Sequence, residues 1–118
     1  MLPAQFRMTR SAEFGATIKH GVRAAQPDIV VHARRSAASC DGPRIGLVVA
    51  KSVGNAVQRH QVSRRLRHAA RSVLPDLTAD ERVVIRVLPT SRHAITARLE
   101  QQLKTAVRRT HSLMEKAR

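Results

Sequence analysis

Residues 51–71 read KSVGNAVQRHQVSRRLRHAAR, and they leave the chain few ways to fold. Val62, Leu66, Ala69 and Val73 follow one another at steps of four, three and four, which puts them on one side of an α-helix. His60, Arg64, Arg67 and Arg71 repeat those steps on the other side, with His68 at the margin. Such a helix must lay its apolar stripe on a core and turn an almost purely cationic face outward. Acids are absent from the 34 residues between Asp41 and Asp76. A helix selected only for solubility interleaves Glu with Arg and gains from i,i+4 pairs. The seven Lys and Arg of this window, Arg44 through Arg71, repel one another instead. A merely solvated face is the plain alternative, but the missing acids favour a polyanion that neutralises the charge.

The rest of the chain supplies the body behind that helix. Of the 118 residues 42% are apolar, enough for one modest core and one domain, and too many for a disordered basic tail. The net charge of +14 points to nucleic acid first, with an anionic membrane surface or an acidic protein as weaker partners. No segment approaches the ~18 apolar residues of a membrane span, and MLPAQFRMTR lacks the apolar core of a signal peptide. The single cysteine, Cys40, can form neither an internal disulfide nor a cysteine-rich metal site. Together these features predict a cytoplasmic protein with no membrane partner. Only Phe6 and Phe14 are aromatic, so a broad base-stacking platform is lacking and RNA binding has to rest on phosphate contacts and shape.

Local pattern predicts the other elements. After a basic, extended lead-in, Ser11 reads as an N-cap with Glu13 in the first turn, so a helix should run to about His20 and end on Gly21 as C-cap. Phe14, Thr17 and Ile18 share one side of it, where core packing is their plainest role. Strands are expected at Val22 to Ala25, Asp28 to Arg35, Arg44 to Ala50 and Arg82 to Leu88, with a small polar loop from Ser36 to Pro43. A last helix from Thr96 to about Glu115 should bury Leu99, Leu103, Ala106, Val107 and Leu113. The order α-β-β-β-α-β-α describes a single-domain α+β sandwich over residues 1–118, with fraying expected after about residue 111.

Catalytic patterns are sparse. Of the six histidines, His20, His32, His60, His68, His93 and His111, only His60 and His68 lie close in sequence, and two helical turns separate them. The eight acids are dispersed, which disfavours a two-metal carboxylate site. There is no Gly-Lys phosphate loop and no dinucleotide fingerprint. No catalytic residue is therefore expected in this chain, and no metal site. What remains is Lys51-Ser-Val-Gly54-Asn55-Ala56-Val57 followed by Arg59. Gly54 allows a tight turn, Asn55 can cap the helix that starts at Ala56, and Lys51 and Arg59 flank the helix N-terminus. That combination builds a phosphate site.

These residues resemble the signature of the bacterial ribonuclease P protein family: a strand, then K-x-V-G-N-A-V-x-R-N-R, then further basic residues on the so-called RNR helix. KSVGNAV matches in full and Arg59 matches the first Arg. His60 stands in place of the usual Asn, Gln61 of the second Arg and Ser63 of a Lys, while Arg64, Arg65 and Arg67 match. Glu13-Phe14, Lys19-His20-Gly21, Arg44-Ile45-Gly46-Leu47, Arg82-Val83-Val84-Ile85 and the final basic helix are also similar, over about the first 110 residues. The resemblance implies an α+β fold with a left-handed βαβ crossover through the basic helix. It implies the protein subunit of an endoribonuclease that removes the 5′ leader from precursor tRNA, with the catalytic site and its Mg2+ carried by an RNA subunit. Lys51, Asn55, Arg59, His60, Arg64, Arg65, Arg67, His68 and Arg71 would bind that RNA. Phe14, Ile18 and His32 would line a cleft for the single-stranded leader. Relatives often have a second Phe at Ile18 and a Tyr at His32, so this cleft should stack the leader less well.

Two rival functions follow from composition. Small basic α+β domains are common among structural RNA-binding proteins of the ribosome, but that reading leaves the KSVGNAV-R match unexplained. A DNA-binding helix-turn-helix needs a helix before residue 51, where the sequence reads as a strand, so DNA is not an expected partner.

Overall fold

A computed structural model describes residues 2–36 and 41–116. Cys40 and residues 37–39 of the expected Ser36–Pro43 loop lie outside the described residues. Three helices, α1 (Ser11–His20), α2 (Ala56–Arg71) and α3 (Thr96–Lys116), flank four strands, β1 (Val22–Ala25), β2 (Ile29–Arg35), β3 (Arg44–Val49) and β4 (Glu81–Val87). The sheet order is β1-β2-β4-β3. The β1–β2 and β2–β4 pairs are antiparallel and the β3–β4 pair is parallel. Parallel neighbours need a crossover connection, and α2 provides it.

Alternation along the strands divides the sheet into two faces. Ile29, Val31, Ala33, Ile45, Val83, Ile85 and Val87 share one core with Val62, Leu66 and Ala69 of α2 and Leu99, Leu103 and Ala106 of α3. The opposite face carries α1, whose Phe14 ring lies over Gly46. The N-terminal segment closes the free edge of β3. After a 3-10 turn at Ala4–Phe6, Arg7 bridges Ile45 in parallel and the Met8 N–H donates to the Ile45 carbonyl at 2.9 Å.

That hydrogen bond also fixes the hand of the crossover. The Ile45 carbonyl points outward to Met8, away from β4, while its side chain points into the helical core. View the sheet from the helices with β3 running upward. An L-residue whose side chain faces the viewer then directs its carbonyl to the right, so β4 lies to the left. The β3–α2–β4 connection is left-handed, against the right-handed rule that nearly all such units follow.

Several local expectations need correction. Ser11 is the first helical residue of α1, not its cap; Arg10 occupies the cap position and makes no side-chain cap bond. Gly21 is the C-cap as expected, its N–H donating to the Thr17 carbonyl at 3.0 Å, but with φ −89° it is not there for a left-handed turn. A Cβ there would collide with the Thr17 carbonyl oxygen and sit 2.5 Å from that of Ala33, so glycine lets α1 close onto β2. Leu113 is only half-buried, and Thr110 and Met114 continue the inner stripe of α3 instead. That helix ends at Lys116, a residue beyond its expected end. His111 is bonded to the fully buried Glu81, its Nε2 2.9 Å from each carboxylate oxygen.

A buried polar knot ties the start of β2 to α3. Asp28, 2% exposed, accepts from Arg98 Nε at 2.7 Å and Gln102 Nε2 at 2.6 Å, and its own N–H donates to Gln102 Oε1 at 3.0 Å. Burial by itself would raise its pKa, but the hydrogen bonds from Arg98 and Gln102 prevail and hold the carboxyl below the usual range. A depressed folded-state pKa gives stability that is present above the unfolded value and lost as pH falls through the folded one. Asp28→Asn should therefore cost about 1–3 kcal/mol at neutral pH. The gap between wild type and variant should close as pH drops below about 4. Thermal unfolding across that range checks it, and a gap independent of pH would refute the ionic account.

Candidate nucleic-acid interface

The backbone leaves β3 at Val49 and enters α2 through a 3-10 turn, Lys51–Val53, pinned by the buried Val53. Gly54 then turns the chain at φ 158°, where a side chain would be strained and a Cβ would press on Gln58. Asn55 caps the helix in a full capping box. Its Oδ1 accepts from the Gln58 N–H at 2.8 Å, and its own N–H donates to Gln58 Oε1 at 2.9 Å. The KSVGNAVQ run is thus a strand-to-helix corner that aims the positive end of α2 outward, with Lys51 exposed next to it.

Beyond the corner, His60, Arg64, His68 and Arg71 are exposed along α2, and Arg59 and Arg67 are half-buried at its sides. Val62, Leu66, Ala69 and Ala70 hold the opposite side in the core. Two residues of the expected set have structural work as well. Asn55 spends its side-chain oxygen on the cap. Arg65 donates through one guanidinium nitrogen to the carbonyls of Ala94, at 2.8 Å, and Arg92, at 3.3 Å. It fastens the 3-10 turn at Pro89–His93 to α2.

The second surface lies on the α1 side of the sheet. In register, Arg23, His32, Val84 and Gly46 form one row across the four strands, and α1 sets Phe14 over its Gly46 end. Phe14 is half-buried, Ile18, one turn on, is 38% exposed, and Thr17 between them is buried. His32 is 4% exposed, with its Nε2 buried and lacking a hydrogen-bond partner. Burial pushes its pKa below the ordinary range, and the charges of Arg86 and Arg23 push the same way, so the ring is neutral near pH 7. The three residues expected to line a cleft thus share this face. Sequence reading missed the arginines around them: Arg23, Arg34, Arg44, Arg82 and Arg86 all fall on it by the period of two. The alternation in His32-Ala-Arg34 and in Arg82-Val-Val-Ile-Arg86 was the available signal.

The cationic set offers Mg2+ no cluster of donors. Among the described residues no group of three or more His, Cys, Asp or Glu converges to hold a metal ion. No helix among them is long and apolar enough to cross a membrane.

The ribonuclease P family model matches residues 2–111. The chain belongs to the ribonuclease P family. Proteins called ribonuclease P protein component are its curated relatives. That of Mycolicibacterium vanbaalenii is 67% identical over 110 residues, 92% of each chain, and that of Mycobacterium avium 62% identical over 92% of this chain and 94% of the other. The fold matches the ribonuclease P protein of Staphylococcus aureus with a TM-score of 0.77 at 21% identity, over 87% of this chain and 93% of that one. It matches the Thermotoga maritima protein at 0.72 and 19%, over 84% and 92%. Ribonuclease P membership places the chain with the protein component of an endoribonuclease, and the ribosomal alternative gives way to it. The helix-turn-helix alternative falls to the fold, because strand β3 precedes α2.

Proposed function

We propose that this chain is the cytoplasmic protein subunit that assists ribonuclease P RNA in removing the 5′ leader from precursor tRNA. The observation that carries it is α2, an acid-free cationic helix held outward by the KSVGNAV corner in a ribonuclease P family member. Lys51, Arg59, His60, Arg64, Arg67, His68 and Arg71 neutralise phosphates of the RNA subunit, and counterion release makes this binding steeply salt-dependent. The leader lies over Phe14 and Ile18, with the neutral His32 at the floor. The chain performs no bond cleavage; Mg2+ held by the RNA supplies that chemistry. By reducing repulsion among leader, tRNA and catalytic RNA, the protein lowers the Mg2+ concentration that cleavage needs. Precursor cleavage by ribonuclease P RNA across a Mg2+ series, with and without the chain, tests this, and an unshifted Mg2+ requirement would sink it.

The cleft reading has its own test. Ile18→Phe adds a stacking ring beside Phe14 and should tighten precursor binding by up to about 1–3 kcal/mol. His32→Tyr should add less, because that position is nearly buried. Precursor affinity relative to mature tRNA reports the effect, and no tightening with Ile18→Phe counts against the position.

A further inference from the structure

Where the N-terminal end of α1 meets the sheet, a cavity of about 540 Å³ opens between Arg7, Arg10, Arg34, Arg44 and Arg82, with Glu13 and Asp41 as its two acids. Its floor is a cross-strand row: Arg34 and Arg44 each stand in register with Arg82. Arg82 is 2% exposed and locked in place by the carbonyls of Gly42, at 3.1 Å, and Glu81, at 3.0 Å. Five guanidinium groups around two carboxylates leave a net positive hole, four of them, those of Arg7, Arg34, Arg44 and Arg82, held by hydrogen bonds, and planar forks suit phosphate oxygens. The row lies two residues along the strands from the His32–Val84–Gly46 row, about 7 Å away. That is comparable to the step between neighbouring phosphates of an extended strand, and Glu13 on its wall adjoins Phe14 in the chain.

We propose that this pocket binds a backbone phosphate of the RNA single strand whose bases lie over Phe14, and so extends the leader track past the end of the cleft. The inference rests on the leader reading above. Asp41 is the internal competitor. Its carboxylate bridges Arg44 at 2.8 Å and Arg82 at 3.4 Å from an exposed position, a pairing that water screens and that a phosphate can replace. Removing its charge should favour the strand.

The test uses the full chain bound to ribonuclease P RNA, and precursor tRNAs with either a single-nucleotide leader or a leader of about ten nucleotides, the scale of a single-strand site on a small domain. The readout is the ratio of the two affinities. Arg10→Gln with Arg44→Gln should cut the advantage of the long leader on the order of tenfold, the loss of about one charge-assisted phosphate contact. Asp41→Asn should raise that advantage several-fold, a gain that misfolding cannot imitate. A loss shared equally by both leaders, or a ratio that Asp41→Asn leaves alone, overturns the pocket while the cleft stands. Wild type with no long-leader advantage overturns the leader reading itself, and the pocket with it.

Discussion

Arg59→Ala, Arg64→Ala and Arg67→Ala combined should weaken binding to ribonuclease P RNA on the order of 100-fold at physiological salt and flatten its salt dependence. The three side chains stand on the outward sides of α2, and apart from Arg65 none of the helix's arginines holds another part of the fold by a hydrogen bond among the described residues. Each phosphate contact removed takes about one unit from the slope of log affinity against log salt, so three should remove about two to three. The helix survives the change, because alanine is the best helix former and Val62, Leu66 and Ala69 keep their places in the core. Arg65→Ala makes the contrast: it should lower the melting temperature by releasing the turn at Pro89–His93, with a small effect on the slope. Titrations at several salt concentrations decide this, and an unchanged slope for the triple variant would mean that α2 does not meet the phosphates.

Gly21→Ala, just past the end of α1, should be a damaging single-methyl change, although Gly21 is neither in the core nor in a left-handed conformation. The added carbon meets two backbone oxygens, those of Thr17 and Ala33, and no side chain can swing aside to admit it. Either α1 lifts from β2 or its last turn opens. Overpacking of this kind costs about 1–3 kcal/mol. At roughly 4–8 °C per kcal/mol for a domain near this size, the melting temperature should fall by about 10 °C. The lift also moves Phe14 and Ile18 off the sheet, so leader-dependent affinity should drop while RNA binding through α2 persists. Gly15, inside α1, is the control: a Cβ there meets nothing within 4 Å, so Gly15→Ala should be neutral or slightly stabilising. Equal melting temperatures for the two variants would defeat the steric account.

Much of this was legible in the chain because it depends on neighbours in sequence. The bounds of α2 and β1 are as expected, α1 starts a residue early, β2, β3 and α3 differ by a residue at one end, and β4 is shifted by a residue at both. The Asn55 cap is also where the sequence puts it. Period and capping are local properties, and a helix whose two faces are Val62-Leu66-Ala69 and His60-Arg64-Arg67 has one orientation that buries apolar area without burying charge. The errors came where the decisive partner is far along the chain. Arg65 looks like its neighbours until Ala94 comes within reach. Asp28 reads only as the first residue of a strand until Gln102, 74 positions on, closes over it. Gly21 caps α1 as read, but the reason it has to be glycine shows only when Ala33 arrives behind it.

The amino-acid sequence by itself determined the elements, the cationic face of α2 and, through KSVGNAV and Arg59, the kinship. All of these are set by side-chain spacing and backbone preference within about 20 residues. The hand of the β3–α2–β4 crossover came with the kinship and from no local pattern; only the tertiary structure decided the burial that keeps His32 neutral and the row of Arg34, Arg82 and Arg44 under α1. Each of these depends on strand register and on which edge the N-terminal segment closes. Those are contacts between residues tens of positions apart, whose free energy no local pattern carries.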